Sequence, residues 1–409
     1  MGCMRKALTA AIGCLGWAAL AHAEISDKVV KIGVLTDLTS VYSEVTGAGS
    51  VIAARMAAED FKKKAGSVAT DFTVEILAGD HQNKPDIGSA LTRRWLDIDH
   101  VDAVVDVPNS AVALGVNEIL RGTKAVFLAS TPATPELTGK ACSPNTVQWL
   151  LDTWSLANST VRAVMKNGGT SWYFISSDYT LGQSLEQDAF AVIKAAGGSV
   201  LGSVRHPINA SDFSSFLLQA QSSGAKVIGL ANAGGDTLTA IKQAHEFMIG
   251  SGSQVLATFL LFVNDVHALG LETAQGLLFT EAFYWDLTDG TRDFSQRFAR
   301  LNNGKMPSSN QAGVYSAVLA YLNAVAAAGS DDAARAMAEM KRAPIQDPLF
   351  GEVTVRADGR AIHPMHLFRV KTPSQSKKPW DYYDLVHTIP AAEAFRPLLP
   401  ARCSLVEKQ

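Results

Sequence analysis

Four short polar segments carry the side chains best suited to holding a small charged molecule: residues 37–49, Pro108-Asn109-Ser110-Ala111, Ser130-Thr131-Pro132-Ala133-Thr134 and Asn232-Ala233-Gly234-Gly235-Asp236. The second and third put hydroxyls beside the start of a helical pattern. Helix starts expose unpaired N–H groups at the positive end of the dipole, so such a segment holds a carboxylate without an arginine. The same residue types also cap helices, which leaves Asn109, Ser110 and Thr134 a second reading as caps of their own helices. Tyr42, Tyr179, Phe283, Tyr284 and Trp285 stand near these segments and supply flat apolar surface. This is the chemistry of binding rather than turnover. The chain has no G-x-G-x-x-G or G-x-x-x-x-G-K-[ST] phosphate loop at a helix start and no G-x-S-x-G elbow. His363-Pro364-Met365-His366 brings two imidazoles close in sequence, on a strand where the rings need not converge. The expectation is a non-enzyme with no metal and no cofactor.

The elements that must position these segments alternate. Apolar strand patterns at 29–35, 72–78, 102–107 and 125–129 are separated by helical patterns at 51–64, from Pro85 through Trp95 and Leu96, and at 111–120. The alternation restarts with a helix at 150–165 and strands at 171–176, 200–205, 226–231 and 255–261. Between them lie helices at 182–196, 213–221 (capped by Asp212) and 237–247. Near-continuous apolar strands between amphipathic helices indicate a parallel sheet covered on both faces, so the fold class is α/β with two lobes. From 277 the pattern changes to a strand at 277–280, helices at 291–301, 309–327 and 331–340, and a hairpin of 351–355 with 363–370 turning at residues 356–360. Residues 379–409 hold four prolines and read as an irregular tail. In open α/β sheets, ligands bind beyond the carboxyl ends of the strands, where the four polar segments fall.

Residues 1–23 have the layout of an export signal: Arg5-Lys6, an apolar run from Ala7 to Leu20, and Ala21-His22-Ala23 as the cleavage site. No later segment reads as both long and apolar enough to span a bilayer. Cys142 and Cys403 are the two cysteines beyond that signal, and in an exported chain they most simply pair; the other reading is two buried thiols. Of the 409 residues, 47% are hydrophobic and 18% charged, with a formal charge of −3 and no basic block. That gives ample core and excludes disorder and a nucleic-acid partner.

With these segments in place the sequence resembles the periplasmic solute-binding proteins of ATP-driven (ABC) importers, in the family of the branched-chain amino acid receptors. The resemblance is carried by Lys31-Ile32-Gly33-Val34-Leu35-Thr36-Asp37, Gly79-Asp80-His81-Gln82-Asn83-Lys84-Pro85, the run Ala129 to Thr138 and the hairpin from Phe350 to Gly359. It implies two Rossmann-like lobes, each with a central parallel sheet (the type I periplasmic binding protein), joined by three crossings. The first lobe would be 28–148 plus 277–345, the second 149–276 plus 346–388, with a tail at 389–409. It also implies a periplasmic monomer that passes a solute to a membrane permease; a sensor subunit on the same fold is the other reading. Ser110 and Ala111 correspond to the loop that receives the solute carboxylate, and Ala133 and Thr134 complete it. Leu181 takes the place of an aromatic that stacks over the solute, with Tyr179 two residues before it. Beyond Gly235, where amino acid receptors carry an acid for the ammonium group, the count reaches Thr239, and Asp236 is the carboxylate nearby. A narrower likeness, through residues 106–114, 137–144 and 283–286, is to a subgroup with aromatic-acid binders. A small carboxylate is the expected solute, benzoate or 4-hydroxybenzoate favoured, with branched-chain or neutral amino acids as the alternative.

Overall fold

The computed structural model describes residues 25–65, 72–249 and 254–406, so the expected export signal lies outside the described residues. The chain begins with β1 (Val29–Thr36), α1 (Gly47–Ala65), β2 (Thr73–Asp80), α2 (Pro85–Arg94), β3 (Ala103–Asp106), α3 (Ser110–Leu120), β4 (Val126–Ala129) and β5 (Thr146–Gln148). The five strands form one parallel sheet in the order β2-β1-β3-β4-β5. Both faces are covered, as the apolar runs require. One glycine pair has a specific packing role. A Cβ on Gly33 or Gly79 would lie 2.5 or 2.8 Å from the Trp95 ring, so both positions stay bare to seat that indole. The helix expected to run on through Trp95 instead ends at Arg94 in one wider π turn, Trp95–Asp99.

The second lobe starts at α4 (Thr153–Lys166) and continues through β6 (Ser171–Ser177), α5 (Thr180–Ala195), β7 (Ser199–His206), α6 (Ser214–Ser222), β8 (Val227–Ala231), α7 (Gly235–Glu246), β9 (Val255–Thr258), α8 (Val263–Leu269), α9 (Leu271–Ala274) and β10 (Leu278–Glu281). Its parallel sheet has the order β7-β6-β8-β9. The chain returns to the first lobe with α10 (Asp289–Leu301), α11 (Ser309–Ala328), α12 (Ala333–Arg342), β11 (Ile345–Asp347), β12 (Gly351–Val355) and β13 (Ala361–Ile362). Helix α11 corrects one expectation: it is long and apolar enough to cross a membrane. It is a core helix nonetheless, mostly buried, with Val314, Val318, Tyr321 and Val325 inside.

The hairpin at 356–360 forms but is short, pairing Thr354 with Ile362 and Val355 with Ala361. The chain then leaves for the second lobe, where β14 (Met365–Val370) pairs antiparallel with β10 and with β15 (Tyr383–Ile389); α13 (Ala391–Ala394) follows. These pairings set 278–281 beside β14 and carry 345–362 back beside the first sheet, where Gln148 bridges Arg360. The resemblance implied the opposite assignment for both segments. β15 also replaces part of the expected irregular tail.

The segments at 148–152 and 360–363 run side by side, and buried groups brace them. Arg360, fully buried, donates through Nη1 to the Leu151 carbonyl at 3.0 Å and through Nε to the Ala361 carbonyl at 2.9 Å, under the Phe395 ring. His363 lies buried against the Trp149 and Pro364 carbonyls, while His366 faces Thr388 on β15, so the two imidazoles do not converge.

Cys142 and Cys403 are joined, with Sγ atoms 2.10 Å apart, across 261 residues. The bridge ties the C-terminal segment to the first lobe, whereas Arg396, paired with Asp188 and stacked on Trp154, ties it to the second. Cross-links closing long loops constrain the unfolded chain most, typically by about 2–4 kcal/mol. Cys403→Ser should lower unfolding stability by that order, and the denatured, unreduced chain from Glu24 onward should show no free thiol by titration. Two thiols per chain would contradict the bridge.

Candidate solute-binding cleft

The segment after β1 meets the segments after β6 and β8 of the other lobe. Asp37, fully buried at the end of β1, folds the first of them. Its carboxylate accepts from the Ser40 and Tyr42 backbone N–H groups at 2.8 and 3.0 Å and from the Ser40 hydroxyl at 2.7 Å. This fixes Tyr42, whose phenol oxygen meets that of Tyr179 from the second lobe. Burial pushes both phenols well above their ordinary range, so both stay neutral and able to donate. Beside them Gly234, with φ +61°, passes so close to the first lobe that a Cβ would lie 2.5 Å from the Val41 carbonyl oxygen. Next to this contact a cavity of about 420 Å³ opens between the lobes, lined by Thr39, Ser40, Asn83 and Lys84 on one side and Ile208 and Asn209 on the other.

On the first lobe, the structure divides the expected carboxylate loop. Asn109 is the N-cap of α3: its side-chain oxygen accepts from the Ala111 and Val112 N–H groups at 2.8 and 3.0 Å, and its amide donates to Asn83. Thr134 caps the short turn Pro135–Thr138, accepting from the Glu136 N–H at 3.4 Å. The Ala133 carbonyl accepts from the Thr153 N–H, at the first crossing. The cap reading therefore describes Asn109 and Thr134, and it takes the Ala111 N–H out of the donor set. Ser110 differs: it is 1% exposed and its hydroxyl has no partner among the described residues. The Ser130 and Thr131 hydroxyls, just beyond β4, are likewise buried and unpartnered.

On the second lobe, Tyr179 immediately precedes α5, and Leu181 is buried in the first turn of that helix. Gly235 opens α7 with free space around it. Asp236 is committed elsewhere. Its carboxylate accepts from the Asn209 and Ala210 N–H groups at 3.2 and 3.0 Å; burial raises its pKa, and His206 acts against the rise. Phe283 does not join the cleft aromatics: its ring packs on Phe294 and Phe350 in the core. Tyr284 and Trp285 both donate to the Trp380 carbonyl, away from the Tyr42–Tyr179 contact.

Two buried acids at these strand ends escaped the sequence reading. Glu281 closes β10 at the second crossing and accepts from Ser309 at 2.9 Å, its carboxyl pushed well up by burial. Asp106 closes β3; burial raises it to about 6, against the hydroxyls of Thr36, Ser50 and Thr131. Among the described residues no cluster of His, Cys, Asp and Glu is arranged to hold a metal ion.

This architecture has close relatives. A solved periplasmic binding protein from Burkholderia mallei is 46% identical with a TM-score of 0.88, covering 93% of this chain and 100% of its own. A branched-chain amino acid ABC transporter periplasmic ligand-binding protein from Burkholderia xenovorans LB400 is 37% identical with a TM-score of 0.80, over 90% of this chain and 97% of its own. At 18% identity and a TM-score of 0.78, an ABC transporter solute-binding protein from R. palustris, solved with 4-hydroxybenzoate, shares the fold over 89% of this chain and 97% of its own. The family model described as periplasmic binding protein matches residues 29–378, and the chain belongs to that family.

Proposed function

We propose that the protein captures a small carboxylate solute between its lobes in the periplasm and delivers it to the membrane permease of its importer, with aromatic acids such as benzoate or 4-hydroxybenzoate the favoured solutes. The observation that carries this reading is the Ser110 hydroxyl, buried and unpartnered in the first turn of α3, where the helix dipole favours a negative group. The Ser130 hydroxyl, equally unpartnered, adds a donor nearby in the fold. Tyr42 and Tyr179 supply flat apolar surface across the gap, and neutral phenols tolerate an anion.

A branched-chain amino acid is the second reading, favoured by the name of the Burkholderia xenovorans relative. Such a solute brings an ammonium group whose burial without a counter-charge costs several kcal/mol. Asp236 is a poor candidate for that pairing, being already engaged by two backbone N–H groups.

Calorimetry with 4-hydroxybenzoate, 4-hydroxybenzamide and leucine separates the readings. The acid should bind at least about tenfold tighter than its amide, because charge-assisted hydrogen bonds are roughly twice as strong as neutral ones. An amide that matches the acid overturns the carboxylate site. Tight leucine binding without aromatic-acid binding overturns the aromatic reading and leaves the carboxylate site in place.

A further inference from the structure

Asp106, at the end of β3, is used by nothing described so far. It is fully buried, and neither carboxylate oxygen has a hydrogen-bond partner among the described residues. The hydroxyls of Thr36, Ser50 and Thr131 gather around it and hold its acidity against burial, yet none closes a well-formed hydrogen bond with it, and all three hydroxyls are themselves unpartnered. They come from the end of β1, the first turns of α1 and the segment after β4. The backbone is also bent to set the group there: Asp106 has φ +83° and Val107 φ +64°, conformations that are unusual for any side chain and more so for a β-branched one. A buried carboxylate without a well-formed hydrogen bond is costly, and backbone held in such conformations clusters at ligand sites.

We propose that Asp106, with Thr36, Ser50 and Thr131, forms a subsite that takes a hydrogen-bond donor carried by the solute, a hydroxyl or an ammonium group, next to the carboxylate held at Ser110. This rests on the carboxylate reading above and narrows it to acids that also carry a donor. The chain itself supplies the reason. Ser110 follows Asp106 by four residues in the same loop, so a bare acid at Ser110 would set a second anion near the first with nothing between them. A donor on the solute turns that repulsion into a bridge. Asp37, the charged group that acts on Asp106, is also negative and adds to the rise.

Calorimetry on two matched series tests the idea: benzoate against 2-, 3- and 4-hydroxybenzoate, and 4-methylpentanoate against leucine. In the wild type the donor-bearing member of a series should bind at least tenfold tighter than the donor-free acid. Asp106→Asn, which tolerates the left-handed backbone, should shrink that preference about tenfold and leave the donor-free acid within about threefold of its former affinity or tighter. Thr131→Val, an unstrained change, should shrink the preference in the same direction and supplies the comparison if the first variant does not fold. Equal affinities within both series in the wild type, or an equal loss for both members in the variants, would overturn the donor subsite and leave the carboxylate reading standing. If no acid in either series binds, the carboxylate reading falls, and this inference with it.

Discussion

Gly234→Ala should hold the two lobes apart and weaken solute binding although the residue supplies no side chain to the solute. The position tolerates no Cβ. One would lie 2.5 Å from the Val41 carbonyl oxygen and 3.2 Å from the Tyr42 ring, both on the opposite lobe, and φ is +61° with ψ −137°, a region open in practice only to glycine. The clash is with backbone, which cannot swing aside as a flexible side chain does. Overpacking of this kind costs about 1–3 kcal/mol, and here the lobes can avoid the cost by not meeting. The closed arrangement then becomes the minor one, and apparent affinity falls with its population, by roughly 5- to 150-fold. Small-angle scattering at saturating solute should show the variant keeping the larger radius of the solute-free protein, while the wild type contracts. A variant that contracts and binds like the wild type would show that closure does not bring Gly234 against Val41. Tyr42→Phe, which keeps the ring and removes only the phenol contact with Tyr179, should shift closure far less.

The alternation of strands and helices was legible because each element carries its own signal. Val29 to Leu35 is apolar enough to be a covered strand, and Pro85 marks a helix start because its missing N–H is unneeded there. What could not be read was pairing between distant elements. Residues 278–281 look the same whether they join the first lobe or the second; their partner, β14, arrives some 90 residues later and decides the matter. The hairpin turn at 356–360 was visible, but the departure at His363 was not, since it depends on carbonyls of Trp149 and Leu151 brought in by another crossing. At the cleft, residue type indicated polar loops and left open which atoms remain free. Asn109 and Thr134 are caps and Ser110 is not, although all three belong to the residue types that caps use. Phe283 stands two residues beyond a strand end, where core and cleft are equally close in sequence; Phe294 and Phe350 draw it into the core. Asp106 lay hidden inside an apolar strand pattern, because the three hydroxyls that give it meaning come from elsewhere in the chain.

The contrast between Ser110 and Thr134 gives the second large effect. Ser110→Ala should weaken binding of a carboxylate solute about 10- to 150-fold, since a hydrogen bond to a charged group contributes roughly 1.5–3 kcal/mol. It should do so without loss of stability in the solute-free protein. The hydroxyl it removes is buried and unpartnered, and leaving such a group unsatisfied costs about 1–3 kcal/mol, so a methyl in its place is neutral or stabilising. Thr134→Ala should behave the other way round. Its oxygen caps the turn at Pro135–Thr138 through a long 3.4 Å hydrogen bond from Glu136, so its loss should cost stability at the low end of the 0.5–2 kcal/mol range for caps and change affinity little. Paired thermal-unfolding and calorimetric measurements on the two variants read both axes at once. Should Thr134→Ala lose affinity while Ser110→Ala keeps it, the solute carboxylate sits at the turn after β4 instead of at the start of α3. The Asp106 subsite would then have to be judged from Thr131, three residues before that turn, rather than from Ser110.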